Sequence, residues 1–316
     1  KSNVNRSAIM SNFIINPYIF AAVTADIDNT RSLSKSITTG VGNSIRISSS
    51  NNVSSYFNNV FGSASSAFSI SMWIKAGWDN NLNTNIHFFA VNANDDDNAR
   101  NMQVRIFFNE SNNRLEFRMG SGTNDRSVNF WPLHSHLSDN GLPGSAASQY
   151  WSSSNRGSVN SNDFTHLVIT KGTGTSLAAN NIAAYWNGNK FGNAFYTNGN
   201  NFGGGLSQMT SGDNRRITIG SAAHHYQKCG NNNATLYDEI SIFSTQLSDD
   251  AVEDLYNNGV PNDVNQSNAA SDGLLMAYYR IEGTAGTTDE TKDYTTNSNV
   301  PILDIDGDSQ SVATPA

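Results

Sequence analysis

The stretch from Phe164 to Gly259 decides the fold of this chain. FTHLVIT (164–170) alternates apolar and polar residues, the period of a strand with one buried face. IAAYWNGNKFG (182–192) reads as a strand that breaks at Asn187-Gly188, the strongest short-range hairpin signal. RITIGS (216–221) and LYDEISIF (236–243) read as two further strands. LSDDAVEDLYNNGVP (247–261) reads as one short helix. Ser248 is placed to cap it, and Asp249 and Asp250 fall in the first turn, where the helix dipole favours anions. Val252, Leu255 and Tyr256 share one apolar face, and Gly259 and Pro261 mark the stop.

Upstream, AFSISMWIK (67–75) is the clearest strand: Phe68, Ile70, Met72 and Ile74 point one way, and Ser69, Ser71, Trp73 and Lys75 the other. NSIRIS (43–48) opens the series with Ile45 and Ile47 on one face, and IHFFAV (86–91) alternates more weakly. MQVRIFF (102–108) and RLEFRM (114–119) flank the turn residues Glu110 to Asn113 and read as a hairpin. Short strands at this spacing predict a two-sheet sandwich whose inner faces bury the alternating residues. The segment from Gly120 to Asp163 has no strand period, and a second polar, glycine-rich loop spans Tyr196 to Arg215. Loops this long are commonly functional or disordered.

The chain has 316 residues, of which 46 are asparagine and 37% hydrophobic. Asparagine, serine, threonine and glycine favour turns over helix interiors, so this composition fits many short strands joined by polar loops. Charge is sparse, at 19 Lys+Arg against 27 Asp+Glu and a net −8. No basic run appears, which argues against nucleic-acid binding, since phosphate neutralisation needs clustered cations. No segment approaches the ~20 apolar residues of a membrane span. Cys229 is the single cysteine, reads as a buried inert thiol, and leaves no intrachain disulfide to form. Residues 1–40 read as an N-terminal arm or linker, in which FIINPYIFAAVTA (13–25) faintly mimics a leader but is broken by Asn16 and Pro17.

The order of these motifs resembles the laminin-G-like, pentraxin-like branch of the concanavalin-A-type sandwich, which runs "WTHVVVTY… LYVNG… IG… DEVRIYNRALS…EEI..LY". GLLMAYYRIEGTAGTTDETKD (273–293) is similar to the opening strand of laminin-G-like domains, although here it follows the helix. That order, with NVPILDIDGD (299–308) and the NPY-type N-terminal segment, resembles marine bacteriophage structural proteins. The resemblance implies an all-β, two-sheet antiparallel jelly-roll sandwich with one short C-terminal helix and terminal extensions. The expected divisions are an arm at 1–40, the sandwich at 41–262, and an extra strand and tail at 263–316.

Hydrolases on this type of sandwich carry two glutamates and an aspartate on one strand. Their chemistry needs carboxylates on one face, about 5–5.5 Å apart for retention. Here Asp238 and Glu239 are adjacent, hence expected on opposite faces, and Ser241 stands where a second acid would be needed. The nucleophile elbow, the zincin helix and the phosphate loop are all absent from the sequence. The resemblance makes His166 structural. His134 and His136 would share a face if extended but have no Cys or acid at close spacing, so zinc is not expected.

Calcium is the candidate ion, because the resembled domains often bind it at a sandwich rim. Crowded oxygen ligands occur at Asp95, Asp96 and Asp97 and again at Asp304, Asp306 and Asp308. No cofactor is required. Carbohydrate binding would use exposed aromatics to stack on sugar rings and neutral amides for hydroxyls. Trp78, Trp131, Tyr150 and Trp151 are the candidates, whereas Trp73 and Trp186 lie in strands and read as packing residues.

The expectation is a non-enzymatic structural or adhesive protein on a virion surface, as a capsid decoration or tail fibre. Its rim loops would bind glycans or a host surface, and its termini would hold other copies or other virion proteins. The alternatives are a secreted or surface lectin, and a polysaccharide hydrolase or lyase working from the loop 120–163 through Trp131 or His134.

Overall fold

The computed structural model describes residues 37–39, 44–47, 57–75, 86–92, 102–109, 114–120, 126–130, 164–178, 181–190, 194–197, 201–202, 217–220, 235–265, 267, 269–270, 274–281 and 303–306. In chain order the strands are β1 (Ile37–Thr39), β2 (Ser44–Ile47), β3 (Phe68–Lys75), β4 (Ile86–Asn92), β5 (Met102–Asn109), β6 (Arg114–Met119), β7 (Arg126–Phe130) and β8 (Thr165–Lys171). They continue as β9 (Ile182–Trp186), β10 (Asn189–Lys190), β11 (Ala194–Thr197), β12 (Ile217–Ile219), β13 (Thr235–Phe243), β14 (Leu275–Tyr279) and β15 (Leu303–Asp306). Among the described residues two α-helices join them, α1 (Asn58–Phe61) and α2 (Asp249–Tyr256).

The strands form two antiparallel sheets. A seven-stranded sheet runs β1-β13-β3-β8-β9-β10, with β14 also on β13, and an eight-stranded sheet runs β11-β7-β6-β5-β4-β12-β2-β15. The chain is thus an all-β, two-sheet sandwich. Phe68, Ile70, Met72 and Ile74 of β3 all enter the core between the sheets, as their alternation requires, along with Ile106, Phe117 and Ile169. Each such side chain contributes about 1.5–3 kcal/mol on full burial. Trp186 joins this core and Trp73 is buried on the opposite face of β3, so both are packing residues. One end of the core is plugged by α1. Phe57, Val60 and Phe61 recur at i, i+3 and i+4, and the Phe61 ring sits 5.2 Å from Phe68 and 5.8 Å from Phe89.

Two strands break phase to fill the core. In β4 the register shifts between His87 and Phe89, and Phe88 and Phe89 both enter the core. This slip is why IHFFAV alternates weakly. In β13 the register shifts between Asp238 and Ser241. Strict alternation from Tyr237 would turn Glu239 and Ser241 inward. Glu239 instead adopts φ 47, an extra residue is absorbed, and Tyr237, Ile240 and Ile242 all face the core. The outward set includes Asp238, paired with Trp73, and Glu239 accepts a hydrogen bond from the hydroxyl of Tyr278, a member of the cluster outside this sheet. The expectation that adjacency sends the two acids to opposite faces therefore does not hold at this bulge.

The sheets also take in segments from both ends of the chain. β1 pairs with Thr235–Tyr237 of β13, β14 pairs with Ile240–Phe243 of the same strand, and β15 pairs with β2. The sandwich therefore includes Ile37–Thr39 from the segment read as an arm and Leu303–Asp306 from the segment read as a tail. β7 lies inside the stretch read as lacking strand period, and β11 overlaps the start of the second loop. RSVNF and AFYT are too short to show a period.

Asn187 and Gly188 form the expected tight turn between β9 and β10, with φ 50 and 76. Positive φ at both central residues is the requirement of the type I′ hairpin. Helix α2 starts as expected, with the Ser248 Oγ accepting from Ala251 N–H at 3.1 Å. It ends earlier than Gly259, because Asn257 takes the left-handed conformation (φ 42, ψ 53) and donates its N–H to Glu253 O. Asparagine tolerates this region well enough to stop a helix.

Lys171, on β8, is fully buried, and among the described residues its ammonium is held by backbone carbonyls. Its Nζ donates to the carbonyls of Ser66, Gly172 and Gly174 at 2.8, 2.9 and 2.9 Å, and lies 6.0 Å from the rings of both Phe68 and Phe202. Burial lowers its pKa to about 8, so it is still protonated at neutral pH. The charge ties two turns to the end of the core. Lys171→Met strands these acceptors and is expected to cost about 2–4 kcal/mol, read as a lower urea midpoint at unchanged m.

A Cβ on Gly188 would stand 2.8 Å from Tyr256 Cδ1, in addition to the strain of φ 76. Gly188→Ala is expected to destabilise by about 1–3 kcal/mol. Equal stability of this variant in chemical denaturation would contradict the docking of the turn on α2.

Candidate functional site

The two outer faces of the sandwich are built differently. The seven-stranded sheet is sealed. Helix α2 and the chain on either side of it lay Leu247, Val252, Leu255 and Val264 over Val168, Phe243 and Tyr278. At its N-terminus, Asp249 accepts from the Tyr185 hydroxyl at 2.5 Å and from Lys190 Nζ at 3.0 Å. The Tyr185 hydrogen bond holds the Asp249 carboxyl below its ordinary pKa. Burial and then the Asp249 carboxylate push the Tyr185 phenol up.

Under the last turn of α2 lies a stack of three rings. Trp73 and His166 are 5.1 Å apart at 28°, and Trp73 and Tyr256 are 5.9 Å apart at 19°. His166 is buried, its Nε2 is 2.8 Å from Ser71 Oγ, and its backbone exchanges bonds with Asn187: its N–H donates to Oδ1 at 3.0 Å, and its C=O accepts from N–H at 2.9 Å. Burial lowers the His166 pKa from 6.5 to about 3, so the ring is neutral at neutral pH. Ser71 and His166 have the spacing of a nucleophile and base, but the indole, the phenol and the helix enclose them. Asp238 and Glu239 are enclosed on the same side. These groups hold the seal in place.

The eight-stranded sheet carries a different set on its outer face. Register places His87 on β4 opposite Phe107 on β5, Phe107 opposite Glu116 on β6, and Glu116 opposite Asn129 on β7. A parallel row runs Thr218, Ala90, Arg105, Arg118, Ser127. The backbone register extends it to Arg46 and Asp304 at one edge and to Thr197 at the other.

Phe107 is the centre of this face. His87 stacks on its ring at 4.9 Å and 20°, and the guanidinium carbons of Arg105 and Arg118 stand 5.3 and 5.1 Å from its centroid. Such contacts offset part of the repulsion between two cations placed directly opposite on neighbouring strands. Glu116 is fully buried and accepts from Arg118 Nε and Nη2, both at 2.7 Å. A buried carboxylate of this kind requires a partner; losing it costs about 3–5 kcal/mol. Arg118 is 28% exposed, so the face reaches solvent at its arginines. The arrangement sets two guanidiniums over one ring, with the buried Glu116 carboxylate on the next strand and the buried Asn129 opposite it.

The loop residues singled out in the sequence are not part of this face as described. Trp78, Trp131, Tyr150, Trp151, Asp95, Asp96, Asp97 and Asp308 lie outside the described residues, as do His134, His136 and Cys229. Asp304 and Asp306 fall in β15, opposite Arg46 and Ser44. Among the described residues no group of three or more His, Cys, Asp or Glu is placed to hold a metal. The outer-face set went unread because its members are far apart in sequence and only the register unites them.

No protein-family model matches the chain, and no curated protein matches it. Solved structures are similar to it at low identity. A putative carbohydrate binding protein from Bacteroides ovatus is 13% identical at a TM-score of 0.46, over 89% of this chain and 59% of that one. A heptameric SAP-like pentraxin from Limulus polyphemus is 11% identical at a TM-score of 0.39, over 70% of this chain and 81% of that one. The binding domain of botulinum neurotoxin DC, in complex with rat synaptotagmin II, is 19% identical at a TM-score of 0.36, over 61% of this chain. The match spans only 36% of that neurotoxin chain. Each identity and TM-score is low, and no residue or ligand is carried over from these structures.

The sealed histidine gives the protein a defined acid response. The folded His166 binds its proton below the unfolded value, so its contribution is complete above pH 6.5 and is lost as pH falls toward 3. Between pH 6.5 and 5 the loss is expected to be about 2 kcal/mol. Denaturation midpoints across that range, compared with His166→Gln, check it: the variant's midpoint stays flatter with pH.

Proposed function

We propose that this chain is a non-catalytic binding protein that takes a carbohydrate on the outer face of its eight-stranded sheet. The observation that carries the reading is the Phe107-centred arrangement of Arg105, Arg118, Glu116 and Asn129. Guanidinium, carboxylate and amide groups are the side chains that suit an array of hydroxyls, since they offer directed donors and acceptors in fixed planes. The other face supports the non-catalytic part. His166 is stacked between Trp73 and Tyr256 of α2, and Asp238 and Glu239 are buried on the same side of the sheet.

The particle role belongs to the same proposal and rests on the sequence at the two ends. The protein sits on a virion surface, its terminal segments holding other copies or other virion proteins and its outer face turned to host glycans. Calcium at Asp95, Asp96 and Asp97, or at Asp304, Asp306 and Asp308, is a further part of the proposal. A chelator-dependent fall in melting temperature or affinity would support it.

Binding of the intact chain to an immobilised glycan panel tests the central reading. Expected are dissociation constants in the micromolar to millimolar range, no release of reducing sugar, and at least a tenfold loss of affinity in Arg105→Ala at unchanged far-UV circular dichroism. No binding to any glycan overturns the proposal. Release of sugar from a polysaccharide, lost on changing Trp131 or His134, would favour the hydrolase or lyase alternative. Absence of the protein from purified particles would leave the secreted-lectin alternative in place.

A further inference from the structure

Asn129 stands in the middle of β7, opposite Glu116, with 0% exposure. Among the described residues neither its Oδ1 nor its Nδ2 has a hydrogen-bond partner. The conclusion does not depend on which way round the amide is built, since both atoms are unmatched. A buried amide left in this state costs on the order of 1–3 kcal/mol per unsatisfied group. Leucine, branched at the same carbon though larger, would remove the unsatisfied groups in a strand whose neighbouring positions, Val128 and Phe130, are already apolar and buried. Local rules broken without a folding gain are characteristic of functional positions.

Ser241 Oγ and His166 Nδ1 are among the other buried atoms in this condition. Each is a single atom on the face sealed by α2. Asn129 offers a donor and an acceptor side by side, which matches a hydroxyl, a group that both donates and accepts. The carboxylate opposite it is already held by Arg118, which leaves the amide as the unspent group of the pair.

We infer that Asn129 is the specificity-determining residue of the carbohydrate site, its amide reading a hydroxyl of the bound sugar. The inference rests on the binding role proposed for this face. Because Asn129 has no exposure, a ligand reaches it only after the face opens. Association is then slower than the roughly 10⁵–10⁷ M⁻¹s⁻¹ of a preformed site.

The test compares the wild type with Asn129→Leu on methyl glycosides of galactose, glucose and mannose, each against its single-deoxy analogues. The wild type is expected to prefer one parent glycoside over one deoxy analogue by at least tenfold. Asn129→Leu is expected to bind the two equally, with a melting temperature equal to or above that of the wild type. A lower melting temperature, or retained discrimination, overturns the inference, the first because the amide then serves the fold through a bound water. If Asn129→Leu does not fold, Asn129→Ala carries the same comparison, and retained discrimination there has the same force. A wild type that binds none of these glycosides or the immobilised panel removes the binding role itself, and the inference with it. Binding that persists unchanged in the variants removes only the part assigned to Asn129.

Discussion

The bulge at Asp238 and Glu239 is the constraint on which the rest of the sandwich depends. β13 has apolar residues at 237, 240 and 242, an odd step followed by an even one. A regular strand could bury Tyr237 or the two isoleucines, but not all three. One left-handed residue at Glu239 resets the phase and lets all three enter the core. The same bulge divides the strand's free side between β1 and β14, which lie end to end along it. It also turns Glu239 toward Tyr278, so the residue that absorbs the extra length gains a buried hydrogen bond.

From that reset follows the difference between the two outer faces. Phe243 faces outward from β13 and joins Val168, Tyr278 and the apolar side of α2. The helix could not dock without this patch. Its last turn sets Tyr256 on Trp73 and His166, and the Asn187-Gly188 turn closes on Tyr256 from the side. Sequence signals that look separate, a cap at Ser248, a turn at Gly188 and a histidine in a strand, therefore meet at one point. The opposite sheet has no described helix on it and carries the charged and amide groups instead.

Much of the fold was legible because burial imposes period. Phe68, Ile70, Met72 and Ile74 declare one face of a strand, Asn187-Gly188 declares a turn, and Ser248 with two following aspartates declares a helix start. What stayed hidden depends on register. Phe107 in RIFF reads as core by composition, yet it lies on the outer face, away from the core cluster. His87, Phe107, Glu116 and Asn129 come from four strands and share a row only once pairing is known. The bulges at Phe88 and Glu239 are equally silent, since an adjacent pair of phenylalanines or acids has no mark of an extra residue. Aromatic and acidic loops drew the eye as sites because their composition is unusual, whereas the outer-face set is spread through ordinary strands.

The end-to-end placement of β1 and β14 has a consequence for how the molecule is made. The side of β13 away from β3 is completed by residues separated by more than half the chain, from Ile37–Thr39 and from Leu275–Tyr279. A ribosome must therefore deliver the chain through Tyr279 before that strand is fully flanked. Until then β13 offers a row of unmatched amides and carbonyls to any neighbour, the geometry that seeds intermolecular pairing. Long-range pairing of this kind makes closure slow, so the nascent chain stays adhesive along β13 until β14 has emerged.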